Sequence, residues 1–530
     1  MKGLSKHNVK SFLKRSLTLL LAGATAVTAL TGCGTKKSDA SAGGDVELSV
    51  FGWRFENAAK DTDDYIYDQI KKKVGVRINP VNASEKNWEE RLGILVASGD
   101  VPDVFVTKGL ENKEVYNKWL EDGILLCLSD YVTPEKYPNL SRQLDKFKDF
   151  TLLQNGKHYS LPVDNDLSSS DAVCAGQAIY IRKDWLDKLG LKEPTTMEEF
   201  YNVAKAFRGN DPDGNGKQDT YGFCGAGVWW LYPFINSFNT SFEFYYKDGD
   251  QWKPECISDN MKKAASFLKK CYDEKLLDSD FLTEGSDKAL ENFVSGRVGM
   301  LVYNAGPSYN KVYNQFQAAY PDKNPKDVFT YLKEPLEGFD GTVRIMGGYN
   351  FWTATAIRAD ISEEKRDKAL ALLEFLCSDE GSKLCSLGEP NVDYKEENGK
   401  YISLLPNNSS GYPIELYEKD KSANFCHLVA HKDFRFVCEN TQNPEDYKGS
   451  TAAFTKAAKV DPLYFVSVVD KVDSAEIKQL KDAVYQGLAT LITQSDNFDA
   501  DFEAYANEWK SVGGNNYTKA LNEGAKKLGL

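Results

Sequence analysis

Residues 46–107 switch between two hydrophobic periods. In VELSVFGW, Val46, Leu48 and Val50 stand at every second position, the spacing of a half-buried strand. DDYIYDQIKKKVG then places Ile66, Ile70 and Val74 at helical spacing, and GVRINPV returns to a strand. SEKNWEERLGILVASGD sets Trp88, Leu92, Leu95 and Val96 on one helical face and stops at Gly99, before the strand VPDVFVT. This strand–helix–strand–helix–strand order predicts a doubly wound α/β lobe. A second set follows. GQAIYIRKDWLDKLG reads as a strand running into a short helix closed by Gly190. EPTTMEEFYNVAKAFRG opens a helix with Pro194 and a capping box of Thr196 and Glu199, burying Phe200, Ala204 and Phe207. ENFVSGRVGMLVYNAGP gives a helix end, a turn and an apolar strand. YNFWTATAIRAD is a strand, and EEKRDKALALLEFLCSDEG a helix with Ala369, Leu372, Leu373 and Leu376 inward. Near the end, Phe498, Phe502, Tyr505 and Trp509 keep helical spacing, and Gly513 and Gly514 predict a stop.

A chain of 530 residues exceeds one core, so more than one domain is expected. Its N-terminus lies outside that plan. MKGLSKHNVKSFLKR carries five cations, and the uncharged SLTLLLAGATAVTAL follows, too short to favour a span of about 20 residues. The run ends in LTGC, which resembles a bacterial lipoprotein signal whose cysteine, here Cys33, is acylated after cleavage before it. Residues 1–32 are thus expected as signal peptide and residues 33–45 as lipidated cysteine and flexible Gly/Ser-rich tether. Without residues 1–32 the formal net charge of −13 becomes −18, because that stretch holds five cations and no anion. Such an acidic chain argues against nucleic acid and against a lipid-headgroup patch. Membrane contact is expected through the lipid alone. Nine cysteines remain after Cys33 and none forms a C-x-x-C pair; mostly buried thiols are expected.

Five stretches carry a family resemblance. RLGILVASGDVPDVFV, IYIRKDWLDKLGLKEPTTMEEFYNVAKAFRGNDPDGNGKQDTYGF, FVSGRVGMLVYNAGP, KALALLEFLCSDEG and EWKSVGGNNYTKALNE occur in that order over nearly the whole chain after the tether. Together they resemble bacterial extracellular solute-binding proteins of family 1, within it the oligosaccharide-binding lipoproteins similar to the alginate-binding proteins. The resemblance implies an α/β, two-lobed periplasmic-binding-protein-like fold with a hinge and an interlobe ligand cleft. It places lobe 1 at 46–162 plus 347–425 and lobe 2 at 163–346 plus 426–530, with crossovers near Tyr159–Val163 and Arg344–Asn350. It further implies a monomer at the outer face of the cytoplasmic membrane that hands an oligosaccharide to the permease of an ABC importer, without a catalytic residue. A peptide or another small solute is the alternative ligand. A secreted carbohydrate-active enzyme or a cell-wall-interacting lipoprotein is the alternative class, since two carboxylates suffice for glycoside hydrolysis.

DPDGNGKQDTYG has the spacing of a calcium loop. Asp211, Asp213 and Asn215 take positions 1, 3 and 5, Gly216 the turn, the Lys217 carbonyl position 7 and Asp219 position 9. Hard oxygens suit Ca2+ better than zinc. In the similar alginate-binding proteins a glutamate follows the last aspartate; here that position is Thr220, and position 12 is Gly222. The competing reading is a metal-free Asx turn. A structural Ca2+ that pins one loop of lobe 2 is expected.

Sugars meet aromatic platforms and hydrogen-bonding side chains. Trp53 follows the first strand, where α/β sheets bind ligands. Trp229 and Trp230 stand in GAGVWWLYPF, Asn304 and Tyr309 in YNAGPSYN, Tyr349 and Trp352 at one crossover, and Asp164 and Asp166 near the other. For each, burial in the core or lobe interface is about as common as ligand contact, and at least two of the set are expected to touch ligand. Trp88, Trp185 and Trp509 sit inside helical patterns and are assigned to packing. HLVAH puts His427 and His431 four apart but lacks the glutamate of a zinc-protease helix.

Overall fold

The computed structural model describes residues 45–530 apart from 53–54, 56–63, 82–87, 109–112, 149–156, 307, 409–410, 442, 464–471 and 473. The signal peptide, Cys33, the tether up to residue 44 and Trp53 therefore lie outside the described residues.

The segments of strand period form two sheets. The first has β1 (Val46–Phe51), β2 (Val76–Val81), β3 (Val104–Thr107) and β4 (Leu161–Asp164). The second has β5 (Gln177–Arg182), β6 (Tyr221–Cys224), β7 (Val298–Asn304) and β8 (Phe329–Tyr331). A ninth strand, β9 (Phe351–Ile357), returns to the first sheet, giving the order β2-β1-β3-β9-β4; the second sheet runs β8-β5-β7-β6. In the first, β1 pairs parallel with β2 and β3, and β9 lies antiparallel between β3 and β4. The helix Tyr65–Val74 joins β1 to β2, and the helix Trp88–Ser98 precedes β3. Since β2 and β3 flank β1 on opposite sides, the order reverses at the carboxyl ends of β1 and β3, the place where such sheets bind ligands.

Each sheet has its own core. Leu48, Val50, Phe105, Leu161, Ala356, Leu372 and Leu373 bury in the first, and Ile179, Phe200, Phe207, Phe223, Met300 and Leu301 in the second. Helix ends follow their signals. Thr196 accepts from the Glu199 amide, but Glu199 reaches Thr195 N (2.8 Å) and Oγ1 (2.8 Å), one residue earlier than a capping box requires. The expected stop at Gly513 and Gly514 is instead a kink. Gly513 takes φ +124°, and the helix resumes over Asn515–Leu528 because Ala520, Leu521 and Ala525 bury against Tyr245 and Leu463.

The chain crosses between the lobes three times. Val163 still belongs to β4 and the first core, so the first crossing begins after Asp164 rather than at Tyr159–Val163. Leu428, Val429 and Ala430 also pack in the first core, so lobe 1 extends beyond residue 425. The crossings are knitted together. Asp164 N donates to Val429 O (2.9 Å), His431 N to Asp164 O (2.7 Å), and Asn165 N to Asn350 O (2.7 Å). Val173–Cys174 pairs with Gly348–Tyr349, and Ile345–Met346 with Ala458–Lys459. Among the described residues no disulfide joins the cysteines, and six of the nine are buried.

Candidate ligand site at the strand ends

In lobe 2 the site is built at the carboxyl ends of the parallel pair β6 and β7. Gly225 follows β6, and a Cβ there would meet Trp230 Cβ at 2.8 Å, so only glycine lets the chain turn this tightly. The turn Val228–Leu231 then presents Trp229, which is 36% exposed. Trp230 is half-buried and stacks on Tyr303 of β7 (5.9 Å between ring centres, 17° between planes). Trp229 stands at 89° to it, 5.4 Å away, and 5.5 Å from Tyr232. Asn304, the last residue of β7, is exposed beside them; its carbonyl accepts from Tyr180 Oη (2.9 Å). Register pairs Asn304 with Gln177, the first residue of β5. Gln177 Nε2 lies 3.4 Å from Asn304 Oδ1, and the Tyr232 hydroxyl donates to Gln177 Oε1 (2.6 Å).

In lobe 1 the equivalent position holds Trp352, at the start of β9 and level with the end of β3. Its ring stacks on His431 (5.2 Å, 22°), and Trp88 meets it edge-on (6.4 Å, 89°). Lys108 Nζ, just past β3, lies 5.3 Å from the ring centre and 3.4 Å from Glu89. His427 and His431 face each other with Nδ1 atoms 3.3 Å apart. At that distance one ring can donate to the other when their tautomers differ.

Not every expected residue joins these two walls. Tyr309 is 2% exposed; its ring is enclosed by Tyr180, Phe329 and Tyr331, so it packs the second core. Tyr349 is buried and stacks on Phe351 (5.5 Å, 15°). Asp164 is buried at the first crossing, paired with Lys146 Nζ (2.5 Å), which also donates to Ser169 O (2.8 Å). Burial outweighs that ion pair and pushes the Asp164 carboxyl up to about 7. Asp166 caps its own loop, accepting from Ser168 N (2.9 Å) and Phe434 N (3.2 Å). The two tyrosines are thus taken up by ring packing, Asp164 by Lys146, and Asp166 by backbone amides at the first crossing. Trp88, Trp185 and Trp509 are buried, as helical spacing predicts. Gln177, Tyr232, Lys108 and the histidine pair escape sequence reading as members of a site. Only strand register brings Gln177 to Asn304, and the histidine pair was legible only as spacing.

The loop Asp211–Asp219 lies at the opposite end of β6 from Trp229. Asp211 Oδ1 and Oδ2 accept from the amides of Asn215 (3.0 Å) and Gly216 (3.1 Å), with Gly214 and Gly216 both at φ +78°. Against the effect of desolvation, the Gly216 and Asn215 amides hold the Asp211 carboxyl low; burial and the facing Asp211 carboxyl push Asp213 up. Asn215 Nδ2 bridges Asp213 Oδ2 (2.7 Å) and Asp219 Oδ1 (3.1 Å), while Asn215 Oδ1 accepts from Lys217 N (2.8 Å). The four side chains thus converge with hard oxygens, the donor set a Ca2+ takes. The amide now stands between two carboxylates where a cation would be held, and among the described residues no three carboxylate, imidazole or thiol groups close on one point. An ion would have to turn Asn215. Thr220 offers no ligand in this conformation: it is buried and its Oγ1 donates to Phe207 O (2.7 Å).

Two lobes, three knitted crossings and two aromatic walls at strand ends define a two-lobed binding protein. The chain belongs to the bacterial extracellular solute-binding protein family, whose model matches residues 56–383. It is 25% identical over 511 residues to the polygalacturonan/rhamnogalacturonan-binding protein YtcQ of Bacillus subtilis (strain 168), covering 94% of this chain and 96% of that one. It is 26% identical over 460 residues to lipoprotein LipO of the same organism, covering 86% and 87%. Its fold matches a crystal structure of the alginate-binding protein AlgQ2 without calcium ion at a TM-score of 0.64, with 16% identity over 91% of this chain and 98% of that one.

Proposed function

We propose that this protein captures an oligosaccharide between its two lobes and delivers it to the permease of an ABC importer. The observation that carries this reading is the lobe 2 wall. Trp229 and Trp230 offer indole faces to sugar C–H surfaces, and Asn304 and Gln177 offer amides to hydroxyls at the same strand ends. The near full-length similarity to YtcQ supports a carbohydrate ligand. Ligand that touches both walls binds the closed state better than the open one and so shifts the lobes toward closure. The cationic, then apolar N-terminus ending at Cys33, with the similarity to LipO, supports a lipid anchor at the outer face of the cytoplasmic membrane. The protein acts as a monomer there. Asp211, Asp213, Asn215, the Lys217 carbonyl and Asp219 hold a structural Ca2+; when bound, it neutralises the facing carboxylates and ties the loop to the start of β6. Burial leaves Asp164, Tyr309 and Tyr349 with structural roles, and the loop hydrogen bonds of Asp166 give it one as well.

Calorimetric titration of the purified protein with tri-galacturonate, kestose and maltotriose, with recovery of the sugar afterwards, tests this. Saturable binding and intact sugar are expected. No heat with any of the three, or cleavage of the sugar, would overturn it.

A further inference from the structure

We infer that Tyr232 and Gln177 form a relay that fixes which way the Asn304 amide faces, so that lobe 2 offers its ligand a hydrogen-bond donor. This deepens the sugar-binding reading and rests on it. The relay starts at a buried hydroxyl. Tyr232 is 1% exposed, and among the described residues Gln177 Oε1 is the acceptor within reach of its phenol proton. Leaving a buried O–H without an acceptor is costly, so the phenol donates and Gln177 must turn its oxygen inward. Its Nε2 then points outward along the sheet end, at Asn304 Oδ1. With Oδ1 taken by that N–H, Asn304 presents Nδ2, which carries two donors, beside the Trp229 face. The alternative orientation of both amides would set the Tyr232 proton against an N–H group.

The backbone prevents escape. Asn304 is held by the β7–β5 register and by the Tyr180 hydroxyl on its carbonyl (2.9 Å). The two backbones are thus fixed, and the side-chain amides are set against each other by the Gln177–Asn304 and Tyr232–Gln177 hydrogen bonds. Gln177 and Tyr232 are therefore positioning residues, and Asn304 is the ligand-facing one. The ligand atom opposite Asn304 is an acceptor oxygen: a carboxylate, a ring oxygen or a hydroxyl accepting rather than donating.

Two substitutions separate orientation from recognition. Asn304→Asp keeps an oxygen facing Gln177 Nε2 and exchanges the outward donors for a charged acceptor oxygen. Neutral kestose therefore reads the loss of donors apart from the repulsion that tri-galacturonate also feels. The variant's melting temperature without ligand should match the unsubstituted protein, while affinity for kestose falls about tenfold, the cost of an unmet acceptor, and that for tri-galacturonate falls further. Gln177→Glu still accepts from Tyr232 but turns an oxygen to Asn304. Asn304 must then reverse and present Oδ1, so affinity falls similarly with the fold intact. A lowered melting temperature for Asn304→Asp would mean that Nδ2, not Oδ1, faces Gln177, and would overturn the relay. Unchanged affinity in either variant, with the unsubstituted protein binding sugar, would overturn its part in recognition and leave the sugar reading standing. If the unsubstituted protein binds neither sugar, that reading falls for these ligands, while the melting comparison still decides the relay.

Discussion

The two walls of the candidate site are built differently. The lobe 2 wall stands on a sheet inside one core: Trp230 on Tyr303, Asn304 against Gln177, both fixed by strands that never leave the lobe. The lobe 1 wall stands on the hinge. Trp352 opens the strand that arrives from the second crossing, and His431, stacked on it, begins the third. One wall is therefore set by lobe packing and the other by lobe orientation. A ligand that seats on lobe 2 first would find Trp352 and His431 delivered to it by closure.

That contrast can be broken or sharpened in order of effect. Lys146→Met removes the partner of a buried carboxylate at the first crossing and should cost about 3 kcal/mol or more near pH 8. Asp164 has its folded pKa raised, to about 7, so its protonated form is the one the fold favours. Its contribution to stability is full below the unfolded value near 4 and is lost as pH rises through about 7. The penalty of Lys146→Met should accordingly shrink at pH 5, and denaturant melts at both pH values check it. An equal penalty at both would remove Asp164 from the account. Second, chelating Ca2+ should lower stability by about 2.7 kcal/mol if the ion stood about a hundredfold above its Kd. Because the loop lies at the far end of β6, sugar affinity should hold; loss of affinity together with melting temperature would tie the loop to the lobe 2 wall. Third, Trp229→Ala should weaken sugar binding by about 2 kcal/mol, roughly thirtyfold, at unchanged stability, because its ring is already partly in solvent. Fourth, Gly225→Ala drives a methyl into Trp230 and should cost about 1 kcal/mol in stability. It should disturb the Trp230–Tyr303 stack, seen as a shift in tryptophan fluorescence.

Elements were legible where period and cap agreed. The helix Tyr65–Val74 and strand β3 follow the apolar spacing, and Gly190 and Gly296 end their helices in left-handed backbone. Gly514 misled because a glycine after an apolar stripe marks a stop only when nothing beyond it can bury a second stripe, and here Ala520, Leu521 and Ala525 do. The exposed part of the candidate wall was also legible: Trp229 lies in a Gly-flanked turn after a strand and Asn304 at a strand end. Tyr309 was not, because the same signal also marks an aromatic that turns back into the core. Gln177 and the histidine pair depend on register and stacking between segments more than 100 and 70 residues apart, which no local pattern carries.

The knitted crossings set the order in which this molecule can be assembled. The Ile66 amide donates to Asp420 at 3.3 Å, and the first core closes only with Leu428–Ala430. A chain emerging from its N-terminus therefore holds β1–β3 open-edged until β9 and then residue 430 arrive, while lobe 2 completes much of its core in between. Closing loops of that length makes the contacts slow to form. The first lobe is thus held open until residue 430 and the second until Leu488 and Trp509 reach its core, and no contiguous fragment of the chain contains either lobe alone.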